Sequence, residues 1–256
     1  MAIIGFINQK GGVGKTTTAV NLAACLAAAQ RRVLLVDMDP QSNSTSAVGM
    51  DKDGHSIYDV LLGDVPVANA VKPSFAENLS VITSDPNLYG AEIELMDLDE
   101  REFKLKRAIE PIRHQFDYVI IDAPPSLGLL TLNVLAAAER LVIPVQCEYY
   151  ALEGLSMLIQ TVERVKGGLN PSLDILGIVM TMYDARLNIA RQVVDEVRAH
   201  FTGKVFETLI VRSVRLAEAP SHGKPIIFYD FRSTGSQNYI SLAQEVIYAV
   251  EKAGSR

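Results

Sequence analysis

Residues 9 to 18, QKGGVGKTTT, concentrate the types that handle phosphate. Gly11, Gly12 and Gly14 let successive backbone N–H groups curl around an anion, and a helix starting at Lys15 would add its positive dipole end. Lys15 can reach β- and γ-phosphates, and the Thr16 hydroxyl can ligate Mg²⁺. The usual loop, G-x-x-x-x-G-K-[ST], wants glycine at position 9, where this chain has Gln9, and a second lysine, Lys10, lies inside the loop. Carboxylates stand in two further segments, Asp37 and Asp39 in LLVDMDPQ and Asp122 in YVIIDAPPS. Asp39 and Asp122 suit a metal-supporting role, whereas Asp37 reads as a supporting group behind them.

These residues need a scaffold that brings them together. Apolar β-branched runs at 2–8, 32–39, 79–83, 116–122, 140–146, 173–183 and 204–211 predict seven strands. Segments of helical period at 15–30, 127–139, 151–167, 188–201 and 236–254 alternate with them. The expected fold is α/β: one domain over 1–256, a mainly parallel twisted sheet with helices on both faces. Ligands in such sheets bind at the carboxyl ends of strands, where all three motifs fall. Residues 84–113 break the rhythm and read as two charge-laced helices with a solvated face.

The bulk composition narrows the class. The chain has 256 residues, 48% hydrophobic, with net charge −6, which argues mildly against a nucleic-acid partner. No signal peptide or bilayer-length apolar run is visible, and Cys25 and Cys147 are spaced like neither a disulfide framework nor a metal motif. A reducing cytoplasm is the expected setting.

KGGVGKTT resembles the deviant Walker A loop of the ParA/MinD group of ATPases, in which glycine at the position of Gln9 is not required. DMDPQ is similar to the group's second acidic motif and IIDAPPS to its Walker B segment. The resemblance implies ATP and Mg²⁺ as cofactors. Lys10, Gly11, Gly12, Val13, Gly14, Lys15, Thr16 and Thr17 would contact the nucleotide. Thr16, Asp39 and Asp122 would lie at the metal, and Lys10, Lys15 and Asp39 would carry catalysis. It further implies that Lys10 reaches the nucleotide of a second subunit in an ATP-sandwich homodimer.

VDMDPQSNST, CEYYALEGLSML and VRLAEAPSHGKPI extend the resemblance along essentially the whole chain, specifically to the chromosomal ParA (Soj) type of partition ATPase. That type implies a weak ATPase, stimulated by a ParB-type centromere-binding protein and binding DNA without sequence preference on the nucleoid. The first predicted strand starts at residue 2, so the N-terminal DNA-binding extension of larger plasmid members of the group is not expected. The RLAEAPSHGKP loop would wrap adenine, with contacts from Leu216, Glu218 and Pro220, and His222 would be a loop hydrogen-bonder. Residues 184–224 carry seven Lys/Arg against five Asp/Glu, net +2 in an acidic chain, with Arg186 and Arg215 the expected DNA contacts. Ser42 departs from the glycine more familiar there, with little effect expected.

Two other members of the superfamily make different demands. A MinD-like membrane switch needs a basic amphipathic C-terminal helix, but Glu245 and Glu251 interrupt that face here, so a packed helix and no membrane are expected. A nitrogenase-reductase-like carrier needs cluster-ligating cysteines at an interface, and neither cysteine sits in a matching segment.

Overall fold

The computed structural model describes residues 1–149 and 151–254. Tyr150 and the final two residues lie outside the described residues. The strands are β1 (Ala2–Phe6), β2 (Val33–Asp37), β3 (Val71–Pro73), β4 (Leu79–Ile82), β5 (Tyr118–Asp122), β6 (Arg140–Gln146), β7 (Asp174–Tyr183) and β8 (Val205–Val211). They form one sheet in the order β3-β4-β2-β5-β1-β6-β7-β8. All described pairings are parallel except β3 with β4.

Seven strands lie where the apolar runs predict them. The eighth, β3, is three residues long and ends in Pro73 at the sheet edge, too short for a period-two signal. Asp39 falls two residues beyond β2 rather than within it, in a loop whose apolar Met38 extends the strand-like run.

Side chains alternate between two cores. On β2, Leu34 and Val36 join one cluster while Val33 and Leu35 join the other, and on β5 Val119 and Ile121 oppose Tyr118 and Ile120. With helices on both faces, every residue of β1, β2 and β5 is buried, which explains their unbroken apolar runs.

The helix Lys15–Ala28 is apolar nearly all round because it lies between the sheet and the C-terminal helix Thr234–Gly254. Tyr239, Leu242, Ala243 and Val246 bury the inner face of that last helix in the same core. None of the described helices is long and apolar enough to cross a membrane. Residues 84–113 form helices Leu88–Glu94 and Lys104–Ile109 with short 3₁₀ turns between, anchored by buried Leu88, Ala91, Leu95, Leu105 and Ile109. Tyr89, Ile93 and Met96 are exposed on this stretch, so its outer face is more apolar than its charges suggest.

Candidate nucleotide and metal site

β1 lies between β5 and β6, so the chain leaves it toward one side of the sheet and later fills the other. The loop after β1 therefore opens at the crevice where strand order reverses. Gly12 (φ 76°) and Gly14 (φ 89°) are both left-handed, a conformation that costs L-residues about 1 kcal/mol or more. Gly14 caps the helix that begins at Lys15. The loop is tied down from behind. Thr181 Oγ1 donates to the Val13 carbonyl (2.8 Å), and Thr18 Oγ1 donates to the Gly14 carbonyl (2.6 Å).

Three carboxylates and one ammonium share the floor. Asp37 and Asp122 are register partners at the ends of β2 and β5, and both are fully buried. Burial raises Asp122 to about 6; the Thr16 and Ser44 hydroxyls and the Lys15 ammonium oppose the rise, and Asp39 adds to it. Burial and the charge of Asp122 raise Asp37 to about 7, against hydrogen bonds from Thr45 and the Asp39 backbone. Lys15 is 6% exposed; burial lowers its pKa, while Asp122 and Asp39 hold it up.

A network fixes the loop after β2. Asp37 Oδ2 accepts from the Thr45 backbone N–H (2.8 Å) and hydroxyl (2.7 Å), and its Oδ1 accepts from the Asp39 N–H (3.2 Å). The Ser84 N–H donates to Thr45 Oγ1 (3.0 Å), and Ser84 Oγ donates to the Asp39 carbonyl (2.8 Å). Asp37 thus shapes the loop that carries Asp39, in keeping with the supporting role read from sequence. Ser44 Oγ donates to Asp122 Oδ2 (2.8 Å), while Asp122 Oδ1 is buried with no hydrogen-bond partner. An unsatisfied buried carboxylate oxygen beside Thr16 and Lys15 is what a hydrated divalent cation would satisfy, so these residues fit Mg²⁺.

A cavity of about 280 Å³ adjoins Thr16 and Thr17 and is walled by Asn21, Asn43, Ser46, Ala219, Pro220, Lys224 and Pro225. Pro220 stands in this wall. The Leu216 side chain is buried in the core and that of Glu218 turns to Arg215 and Tyr229, so any part they take in the cavity is through the backbone. His222 stacks on Tyr229.

Gly49 and Gly223, both left-handed, touch backbone to backbone. A Cβ on Gly49 would stand 2.8 Å from the Gly223 carbonyl oxygen. The loop carrying Asp39 thereby meets the loop that walls the cavity. Ser42 sits between, fully buried and left-handed (φ 56°), a conformation glycine would adopt freely.

Lys10 is exposed and paired with Glu148 of its own chain. Arg186 is 87% exposed, and its guanidinium donates to both oxygens of Asp184 (2.9 and 2.6 Å), holding that carboxyl down to about 2. Arg215 pairs with Glu218 (3.0 Å) and Asp230 (3.5 Å). Arg186 and Arg215 follow adjacent strands, β7 and β8. Arg212, whose N–H donates to the Tyr183 carbonyl, joins them at that edge. Both cysteines are buried, with burial pushing each thiol up to about 12.

Ser44, Thr45, Ser84, Thr181 and Glu148 contact the glycine loop or its aspartates, and the motif chemistry alone does not single them out. The polar run SNST directly after DPQ could have signalled the first two. The others come from distant strand ends and become neighbours only through the sheet order.

A family model described as "AAA domain" matches residues 1–175. The chromosome partitioning protein ParA of Myxococcus xanthus (strain DK1622) is 56% identical over 247 residues, covering 96% of this chain and 87% of that protein. The sporulation initiation inhibitor protein Soj of Bacillus subtilis (strain 168) is 56% identical over 246 residues, covering 95% and 97%. Among solved structures, cobyrinic acid a,c-diamide synthase from Mycobacterium smegmatis, with bound ADP and magnesium, aligns with a TM-score of 0.87 at 35% identity, covering 99% and 96%. MinD from Pyrococcus horikoshii, complexed with Mg-ADP, aligns at 0.78 with 25% identity, covering 96% and 95%.

Proposed function

The chain belongs to the ParA/Soj family of P-loop ATPases, and from that premise we propose how its residues divide the work. It is an ATPase of DNA partition that uses ATP and Mg²⁺. The whole chain acts as one ATPase domain. Gly11 to Thr17 wrap the phosphates of their own chain's nucleotide, Lys15 offsets their charge, and Asp39 orients the attacking water, while Lys10 serves the nucleotide of the second copy. Thr16, Asp39 and Asp122 hold Mg²⁺, which when bound neutralises charge on the phosphate oxygens. The base occupies the cavity beside Pro220. The single observation that carries this reading is the buried, unpartnered Asp122 Oδ1, set beside Thr16 and Lys15 at the mouth of the glycine loop.

Further, ATP brings two copies together with Lys10 reaching across. Exposed Tyr89, beside Asp39, and exposed Leu127 on the adjoining loop offer apolar area for that contact. The dimer pairs two Arg186–Arg215 edges on one duplex, so oligomer state sets DNA affinity and places the protein on the nucleoid. A ParB-type protein stimulates hydrolysis and resets the switch.

Phosphate release with Mg-ATP, DNA and a ParB-type partner tests this reading. Full activity in Lys15→Ala or Asp39→Ala would refute the site assignment. Release unmoved by the partner would refute its stimulating role.

A further inference from the structure

Lys10 Nζ lies 2.7 Å from Glu148 Oε2, with both side chains about half exposed. Glu148 is itself oriented, because Gln146, the last residue of β6, donates its amide N–H to Oε1 at 2.5 Å and leaves Oε2 to the lysine. The Lys10 main chain is pinned at the same place. Its N–H donates to Asn8 Oδ1 (3.0 Å), and Asn8 Nδ2 donates to the Pro144 carbonyl of β6 (2.7 Å). The first half of the loop is thus lashed to the end of β6, with the ammonium turned to a carboxylate of its own chain.

We propose that Glu148 is a brake on Lys10: it holds the ammonium within the monomer and must release it before a second copy can use it. This rests on the reading of Lys10 as the cross-subunit cation. Dimerisation then exchanges a carboxylate partner for phosphate, once in each subunit. Both nucleotides carry more charge than one carboxylate, but a triphosphate adds the γ-phosphoryl charge, so it competes with Glu148 for the ammonium better than a diphosphate does. The brake therefore sharpens the discrimination between ATP and ADP at the step where subunits meet.

The test is sedimentation of the full chain with Mg²⁺ and a non-hydrolysable ATP analogue or ADP. It compares the unsubstituted protein with Glu148→Gln, Lys10→Ala and the double variant. An exposed ion pair shifts an equilibrium roughly two- to five-fold, and two break per dimer, so Glu148→Gln should tighten dimerisation roughly 4- to 25-fold at low salt. The gain should shrink as salt screens the pair, and ADP should begin to support dimers. In the Lys10→Ala background the glutamate substitution should gain nothing. Glu148→Gln dimers that are weaker or unchanged, or a gain that persists without Lys10, would overturn the brake while leaving the cross-subunit reading intact. Normal dimers from Lys10→Ala alone would overturn both.

Discussion

At Lys15, burial lowers the pKa while the charges of Asp122 and Asp39 oppose that fall. Removing the ammonium leaves those carboxylates facing the phosphates, so Lys15→Ala should abolish Mg-ATP binding in equilibrium titration. Asp39→Ala should still bind while hydrolysis falls by about 10²-fold or more, the scale on which positioned polar groups act in such sites. Equal loss of binding in both would contradict the division of roles. The buried aspartates also set a pH dependence. Asp122 and Asp37 are raised to about 6 and about 7, so the native state binds more protons than the unfolded chain between about pH 4 and pH 7. Stability without nucleotide or metal is therefore gained as pH falls through that window and lost as pH rises. Asp184, held to about 2, acts with the opposite sign, but only below about pH 4. Thermal unfolding in chelator should show a higher midpoint at about pH 5.5 than at about pH 7.5, and Asp122→Asn should flatten the difference. A midpoint that climbs with pH would contradict this sign. The residue types in the glycine loop and at Asp39 and Asp122 could be read directly, because their chemistry is local. Their partners could not: Ser44 reaches Asp122 across 78 positions of sequence, and Glu148 reaches Lys10 across 138.

Among the elements, the loop from Asp39 to Gly49 links chemistry to the rest of the fold. Ser42 holds a left-handed conformation in a buried position, where glycine would remove a cost of about 1 kcal/mol. Ser42→Gly should raise the unfolding free energy from urea titration by that order, and a lower value would mean the serine packing outweighs the strain. Gly49→Ala combines a positive φ with a methyl group 2.8 Å from the Gly223 carbonyl, so it should destabilise by about 2–4 kcal/mol. Unchanged stability would show that the two loops part freely. The strands were legible because double-sided burial leaves continuous apolar runs, and the long helices because one stripe faces a core. β3 and the one-turn helices, such as Asn43–Ala47 and Val214–Glu218, were not, because a single turn has no period to detect. Those same short elements position Ser44 and Arg215.

In the proposed function of the whole molecule, nucleotide state governs assembly and assembly governs DNA binding. The chain is acidic overall, and Arg186 and Arg215 are each paired with carboxylates of their own chain, so one protomer alone presents a weak surface to a duplex. Charge reversal at either arginine should weaken DNA retention while dimerisation survives, and should lower the salt slope by about 0.9 for each phosphate no longer neutralised. The most direct test measures binding to a duplex of arbitrary sequence and sedimentation in parallel, with no nucleotide, ADP, ATP and a non-hydrolysable analogue. DNA binding and dimers should appear together with ATP and the analogue and be absent with ADP or no nucleotide. DNA retention that is equal in all four states, or dimers that form without gaining DNA affinity, would contradict the account.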